Sequence, residues 1–173
     1  MKTIYLADDD EDDRMLIRDA IERVIDDVEV IEVEDGEKLL SMIKAHGTWQ
    51  HPVLILMDMN MPRQSGLETL AFLKSMPQCA HIPVLMMSTI SNQDMIDQAH
   101  ELGIDDCLIK PVNEEEFTSL AETVDNSFAH LTPLHKHIPK TQVTRGWNAA
   151  RWNNELRNVP HFGWKTATYS KKR

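Results

Sequence analysis

Hydrophobic positions in the first 125 residues follow two alternating spacings. Residues 4–7, 28–33, 53–57, 82–87 and 107–109 are short apolar or β-branched runs. Between them apolar residues recur every three or four positions, first as Met15, Ile17, Ile21, Val24 and Ile25, then as Leu39, Leu40, Met42 and Ile43. The runs predict strands and the helical spacing predicts amphipathic helices. Residues 28–33 partly alternate, as an edge strand does. Residues 53–57 are apolar throughout, which predicts a strand covered on both faces. In the fourth run Pro83 fits only near the start, where a missing N–H does little harm.

Local punctuation agrees with this alternation. Gly47 and Gly103 are stops. Ser65 and Glu68 form a capping-box pattern, and Ser91 with Asp94 repeats it. Asn113 is placed to cap a last helix whose first turn carries Glu114, Glu115 and Glu116, where the helix dipole favours acids. Five βα units of this size predict an α/β fold. The expected architecture is a doubly wound, five-stranded parallel sheet, flavodoxin-like, with strand order 2-1-3-4-5. Ligands of such folds bind at the carboxyl ends of the strands.

Those ends are chemically biased. The first strand ends at Asp8-Asp9, the third at Asp58, the fourth at Ser88-Thr89 and the fifth at Lys110-Pro111. Strands one and three are neighbours in this order, so their carboxylates converge. Like charges that close repel, and a hard divalent cation such as Mg²⁺ would relieve them through oxygen ligands. A lysine and a hydroxyl opposite complete a cradle for a phosphoryl group. Its transfer rests on positioning and charge neutralisation, and a carboxylate is a competent nucleophile for it. Each piece has a plainer reading alone. The acidic run from Asp8 to Asp13 reads as a solvated helix start, Lys110-Pro111 as a loop, and Ser88 as a satisfied strand-end hydroxyl. Their joint occurrence at one end of separate strands favours the cradle.

Four stretches carry a resemblance: residues 4–10 (IYLADDD), residues 54–62 (LILMDMNMP) with Gly66, residues 83–89 (PVLMMST) and residues 109–111 (IKP). Together they resemble the receiver domain of two-component response regulators, of the single-domain chemotaxis and phytochrome-regulator kind, over residues 1–128. The resemblance implies that Asp58 is the phosphoryl acceptor. It implies a Mg²⁺ site made by Asp8, Asp9, Asp58 and the main-chain carbonyl of Asn60. Ser88 would be the switch hydroxyl, and Lys110 would contact a phosphoryl oxygen ahead of a cis peptide to Pro111. The donor would be a sensor histidine kinase or a phosphotransfer protein. The family usually has an aromatic residue three positions before the lysine, and this chain has Cys107 there. A ring swing cannot accompany activation, so the expected route runs through Ser88, residues 89–92 and the last two βα units. That surface is also the expected site of self-association. Ile90, two residues past Ser88, gives no help to an attacking water.

Charge then divides the chain. Residues 1–125 hold 9 Lys/Arg against 27 Asp/Glu, and residues 126–173 hold 9 against one. Three of the four tryptophans and four of the eight histidines fall in the second part. The expected division is a receiver domain at 1–128 and a basic, Trp-containing tail at 129–173 that is not an independent domain. Within the tail, residues 147–159 predict at most one weak helix, short of the helices a helix-turn-helix needs. Its histidines lack ligand-like spacing for a metal. The whole-chain charge of −10 argues against general nucleic-acid binding. No apolar run approaches the roughly 18 residues that cross a bilayer, so no membrane role is expected. The early acids do not suit a signal peptide, and two cysteines outside any CxxC pair read as reduced thiols of a cytoplasmic protein.

The resulting expectation is a signalling protein and not an enzyme. It would be phosphorylated on Asp58 with Mg²⁺ and would act on an output partner that the sequence does not name. Two alternatives stand beside it. A haloacid dehalogenase-type phosphohydrolase would want an acid two residues after its nucleophile, where this chain has Asn60. A transcription regulator would contact DNA through the basic tail.

Overall fold

The computed structural model describes residues 1–46, 49, 51–89 and 93–129. The stops and caps expected at Gly47 and Ser91, the role of Ile90 and the tail from residue 130 lie outside them. Five strands alternate with five helices: β1 (Lys2–Ala7), α1 (Glu11–Val24), β2 (Val28–Val33), α2 (Gly36–His46), β3 (Val53–Asp58), α3 (Gly66–Ser75), β4 (Val84–Ser88), α4 (Gln93–Glu101), β5 (Asp106–Ile109) and α5 (Glu114–Ala129). All pairings are parallel and the sheet order is β2-β1-β3-β4-β5, as the sequence predicts.

Burial follows position in the sheet. Every residue of β3 and β4 is buried, whereas β2 and β5 at the edges are only partly covered. Helices α1 and α5 pack together, and α2, α3 and α4 contact one another in succession. Between the sheet and the α1–α5 layer, Ile4, Leu6, Leu54, Leu56, Leu85 and Met87 meet Ile17, Ile21, Phe117, Leu120 and Val124. Each such side chain contributes about 1.5–3 kcal/mol relative to exposure. The spacing in α1 marks its buried face only in part: Ile17 and Ile21 are buried, but Met15 is 44% exposed.

Strand β4 begins two residues later than the apolar run. Pro83 has no N–H to give, but its carbonyl accepts from Ile55 N–H at 3.0 Å, so it serves as the lead-in to the ladder. Val84 N–H instead donates to the Asp105 carboxylate at 2.9 Å. The capping box at Ser65 and Glu68 is fully formed. Asn113 Oδ1 accepts from Glu116 N–H at 3.0 Å, as expected of a cap. Gly103 takes φ +88°, a left-handed conformation that costs glycine little.

Candidate functional site

The carboxyl ends of β1, β3, β4 and β5 deliver Asp8, Asp58, Ser88 and Lys110 to one pole of the sheet. Asp8, Asp58 and Ser88 are 0%, 4% and 6% exposed. Asp58 closes β3, and its Oδ2 accepts from Asn60 N–H at 2.9 Å, which ties the carboxylate to the loop that follows. That loop is held from two sides: Met59 N–H donates to the Met87 carbonyl at 2.8 Å, and Gly66 N–H donates to the Met59 carbonyl at 3.1 Å. Asp8 is fixed equally well. Its Oδ1 accepts from Asp10 N–H at 3.0 Å, and its carbonyl accepts from Arg14 Nη1 at 2.7 Å. Arg14 in turn lies 3.5 Å from Glu32 of the edge strand.

Lys110 joins these acids. Its ammonium stands 2.6 Å from Asp13 Oδ2, 2.9 Å from Asp8 Oδ2 and 3.9 Å from Asp58 Oδ1. At 2.9 Å it neutralises Asp8 Oδ2 by proximity, but that buried oxygen receives no well-directed hydrogen bond. The Lys110 N–H donates to the Ser88 carbonyl at 2.9 Å, which sets the β5 end beside the β4 end. No cis peptide occurs among the described residues, so the bond from Lys110 to Pro111 is trans and not cis as the resemblance implies. Trans is the form an X–Pro bond favours by about 0.5–1 kcal/mol in the absence of other forces.

Burial sets the protonation of the site. It pushes the Asp58 carboxyl above its ordinary value; Lys110 opposes the rise and the negative charges of Asp8 and Asp9 add to it. Asp8 is raised for the same first reason, with Lys110 and the Asp10 N–H pulling it back and Asp13 adding to it. For Lys110, burial alone would favour the neutral amine. Its ion pairs with Asp13 and Asp8 outweigh that and hold it firmly as an ammonium. Cys107 is half-buried, and burial and then Asp106 push its thiol upward. It pairs with Met86 across β4 and β5.

The donor set fits a hard divalent cation in kind: carboxylates, a main-chain carbonyl and one buried carboxylate oxygen without a directed hydrogen bond. Asp9 is exposed. Among the described residues no three His, Cys, Asp or Glu side chains are gathered tightly enough to hold an ion as they stand. Lysine provides the positive charge in this arrangement. Sequence reasoning anticipated Asp8, Asp58, Ser88 and Lys110 at one pole. It missed Asp13, which it took for part of a solvated helix start, and Arg14.

Residues 4–122 match the response regulator receiver domain family. The chain belongs to that family. Among its relatives, response regulator Rcp1 of Synechocystis is 28% identical over 136 residues, which cover 77% of this chain and 92% of Rcp1. The polar-differentiation response regulator DivK of Brucella ovis is 30% identical over 116 residues, which cover 67% of this chain and 89% of DivK. The solved structure of the phosphorylated cyanobacterial phytochrome response regulator RcpA superposes with a TM-score of 0.68 at 28% identity, covering 76% of this chain and 96% of that one. The Mn²⁺-bound form of Rcp1 superposes at 0.65 with 26% identity, covering 80% and 99%. This receiver is thus a response regulator domain of two-component signalling. Among its described residues no helix is long and apolar enough to cross a membrane.

Proposed function

We propose that the receiver accepts a phosphoryl group on Asp58 from a sensor histidine kinase or phosphotransfer protein, with Mg²⁺ bound, and passes the change of state to an output partner. The observation that carries this reading is the convergence at one pole of a buried Asp58, a buried Asp8 and the Lys110 ammonium. An Asp58 oxygen forms the new bond to phosphorus, and the donor leaves with the electron pair of the bond it gives up. Lys110 is within reach of a group carried on Asp58, and the Asn60 N–H holds the other oxygen of Asp58 in line. Asp8, Asp9, Asp58 and the Asn60 carbonyl would hold the Mg²⁺. When bound, that ion supplies neutralisation of the phosphoryl charge. Ser88, at the end of the neighbouring strand, is the hydroxyl placed to follow the added group. The family match favours this reading over a haloacid dehalogenase-type hydrolase or a DNA-binding regulator. Self-association through the last two βα units, β4–α4 and β5–α5, belongs to the same proposal, since β4 ends at Ser88 and Lys110 follows β5. The absence of an aromatic ring at Cys107 puts the output change on the Ser88 side.

Acetyl phosphate with Mg²⁺ is expected to add one phosphoryl group, labile in base, within the peptide that contains Asp58. Mass spectrometry locates it, and a label found elsewhere sinks the assignment. Asp9→Ala should lower Mg²⁺ affinity by about tenfold or more, the scale of losing a supporting carboxylate at a metal site. Calorimetric titration reads this directly, and equal affinity would remove Asp9 from the site. The pH dependence has a definite sign. Asp8 and Asp58 titrate above their ordinary values, so more protons must leave on metal binding as pH falls. Mg²⁺ should therefore raise the thermal midpoint more at pH 7.5 than at pH 5. An equal rise at both pH values would show that these two carboxylates do not bind it.

A further inference from the structure

A lysine shared by three carboxylates stands closest to the one for which the proposed chemistry gives no use. Lys110 Nζ is 2.6 Å from Asp13, 2.9 Å from Asp8 and 3.9 Å from Asp58. Only the last distance exceeds hydrogen-bond reach. We propose that Asp13 is a positioning residue that tethers Lys110 away from Asp58 and so limits how readily the lysine reaches a phosphoryl group there. The inference rests on the reading of Asp58 as acceptor and concerns the regulation of that same site.

The tether is built into the fold. Asp13 stands in the first turn of α1, and that turn is fastened by Asp10, whose Oδ1 accepts from Asp12 N–H at 2.9 Å and Asp13 N–H at 3.2 Å. Arg14, the next residue, binds the Asp8 carbonyl and ties the same turn to the end of β1. Asp13 thus meets Lys110 from a fixed backbone. Lys110 is only 10% exposed and keeps its charge, so it cannot leave for water without losing a partner. Asp8 is the proposed metal ligand, and its charge is drawn to the cation when the site is loaded. Asp13 then remains the lysine's nearest competitor to the phosphoryl group. Asp13 is about one-third exposed, so the competition is that of a partly screened ion pair and not of a sealed one. An acid in the first turn of a helix also favours the helix dipole whatever it touches, and the test must separate that role from the tether.

The probe is beryllofluoride, a phosphoryl mimic, titrated with Mg²⁺ into the full chain carrying Asp13→Asn and Asp13→Glu. Asp13→Asn should bind it about fivefold more tightly, the scale of one partly exposed ion pair. Asp13→Glu, which restores the charge, should return affinity toward wild type. A second readout needs no metal and no phosphoryl group. In ¹⁵N-labelled, Mg²⁺-free protein, the Lys110 ammonium resonance should shift and exchange faster with water in Asp13→Asn. A merely helix-stabilising role predicts a lower thermal midpoint with neither change. Unchanged or weaker beryllofluoride binding overturns the tether, as does an unmoved Lys110 resonance. If the resonance moves while Asp58→Asn is still labelled by acetyl phosphate, the acceptor reading fails and takes the proposed regulation with it.

Discussion

Asp58→Asn is expected to abolish labelling by acetyl phosphate in Mg²⁺ and to make the fold more stable at neutral pH. The loss follows from replacing the nucleophilic oxygen by an amide that cannot form the acyl phosphate. The gain follows from burial. Asp58 is 4% exposed, its carboxyl is raised by desolvation, and Asp8 and Asp9 raise it further. A carboxyl raised in the fold contributes stability that is complete below its unfolded pKa, about 4, and is lost as pH rises through the folded value. At pH 7 the charge is therefore a burden on the native state. The amide removes that burden and can keep the acceptor role toward Asn60 N–H. Lys110 retains Asp13 and Asp8 as partners. A gain of about 1 kcal/mol in urea unfolding is the ordinary size for one favourable substitution. The gain should shrink toward pH 4, where the wild-type carboxyl is also neutral. Retained labelling would remove Asp58 as acceptor. An Asn variant less stable than wild type at pH 7 would show that the pairing with Lys110 outweighs desolvation.

Gly66→Ala should have the largest effect on stability. A Cβ built there lies 2.5 Å from the Asp58 carbonyl oxygen, 2.8 Å from Met86 Cε and 3.0 Å from Met59 Cα. The methionine can turn aside, but the backbone at Asp58 and Met59 cannot. It is locked by the Met59–Met87 and Gly66–Met59 hydrogen bonds. Helix α3 must back away from the end of β3, at a cost of about 2–4 kcal/mol, typical of severe overpacking. The shift also moves Asp58 and Asn60, so labelling should slow in whatever protein remains folded. Chemical denaturation together with the initial labelling rate checks both effects. A variant within about 0.5 kcal/mol of wild type, the range of ordinary surface changes, would show that the approach of α3 to β3 is not fixed.

The strands were legible because covered strands need uninterrupted apolar residues, and β3 and β4 have them. The pole was legible because a parallel sheet places every strand's carboxyl end on one side, so Asp8, Asp58, Ser88 and Lys110 could be grouped without coordinates. The pairing of Asp13 with Lys110 was not. Five acids share a run with Asp13, and its partner lies far along the chain, so no local spacing distinguishes it from a solvated acid. Arg14 is hidden for a similar reason, because its target is a main-chain carbonyl, which has no sequence signature. Gly66 could be placed at a helix start from the capping box. The closeness of α3 to β3, which makes it necessary, is a property of packing. Pro83 does lie at the start of β4, but the strand begins two residues after the apolar run does, because a proline carbonyl can feed the ladder although its nitrogen cannot.

The opposite pole of the sheet has a consequence for how this fold can be joined to other things. Lys2, at the start of β1, reaches Asp125 at 2.5 Å and sits over the Phe128 ring near the end of α5. Its N–H donates to the Asp27 carbonyl in the turn before β2. The beginning of the first strand and the end of the last described helix are thus neighbours, on the side away from Asp58. A segment that enters the fold before Lys2 or leaves it after Ala129 is therefore joined to it at the pole opposite Asp58. The same neighbourhood makes the fold a candidate for circular permutation: a short linker could join Ala129 to Met1, with new ends opened elsewhere, and the pole that carries Asp58 and Lys110 would not be cut.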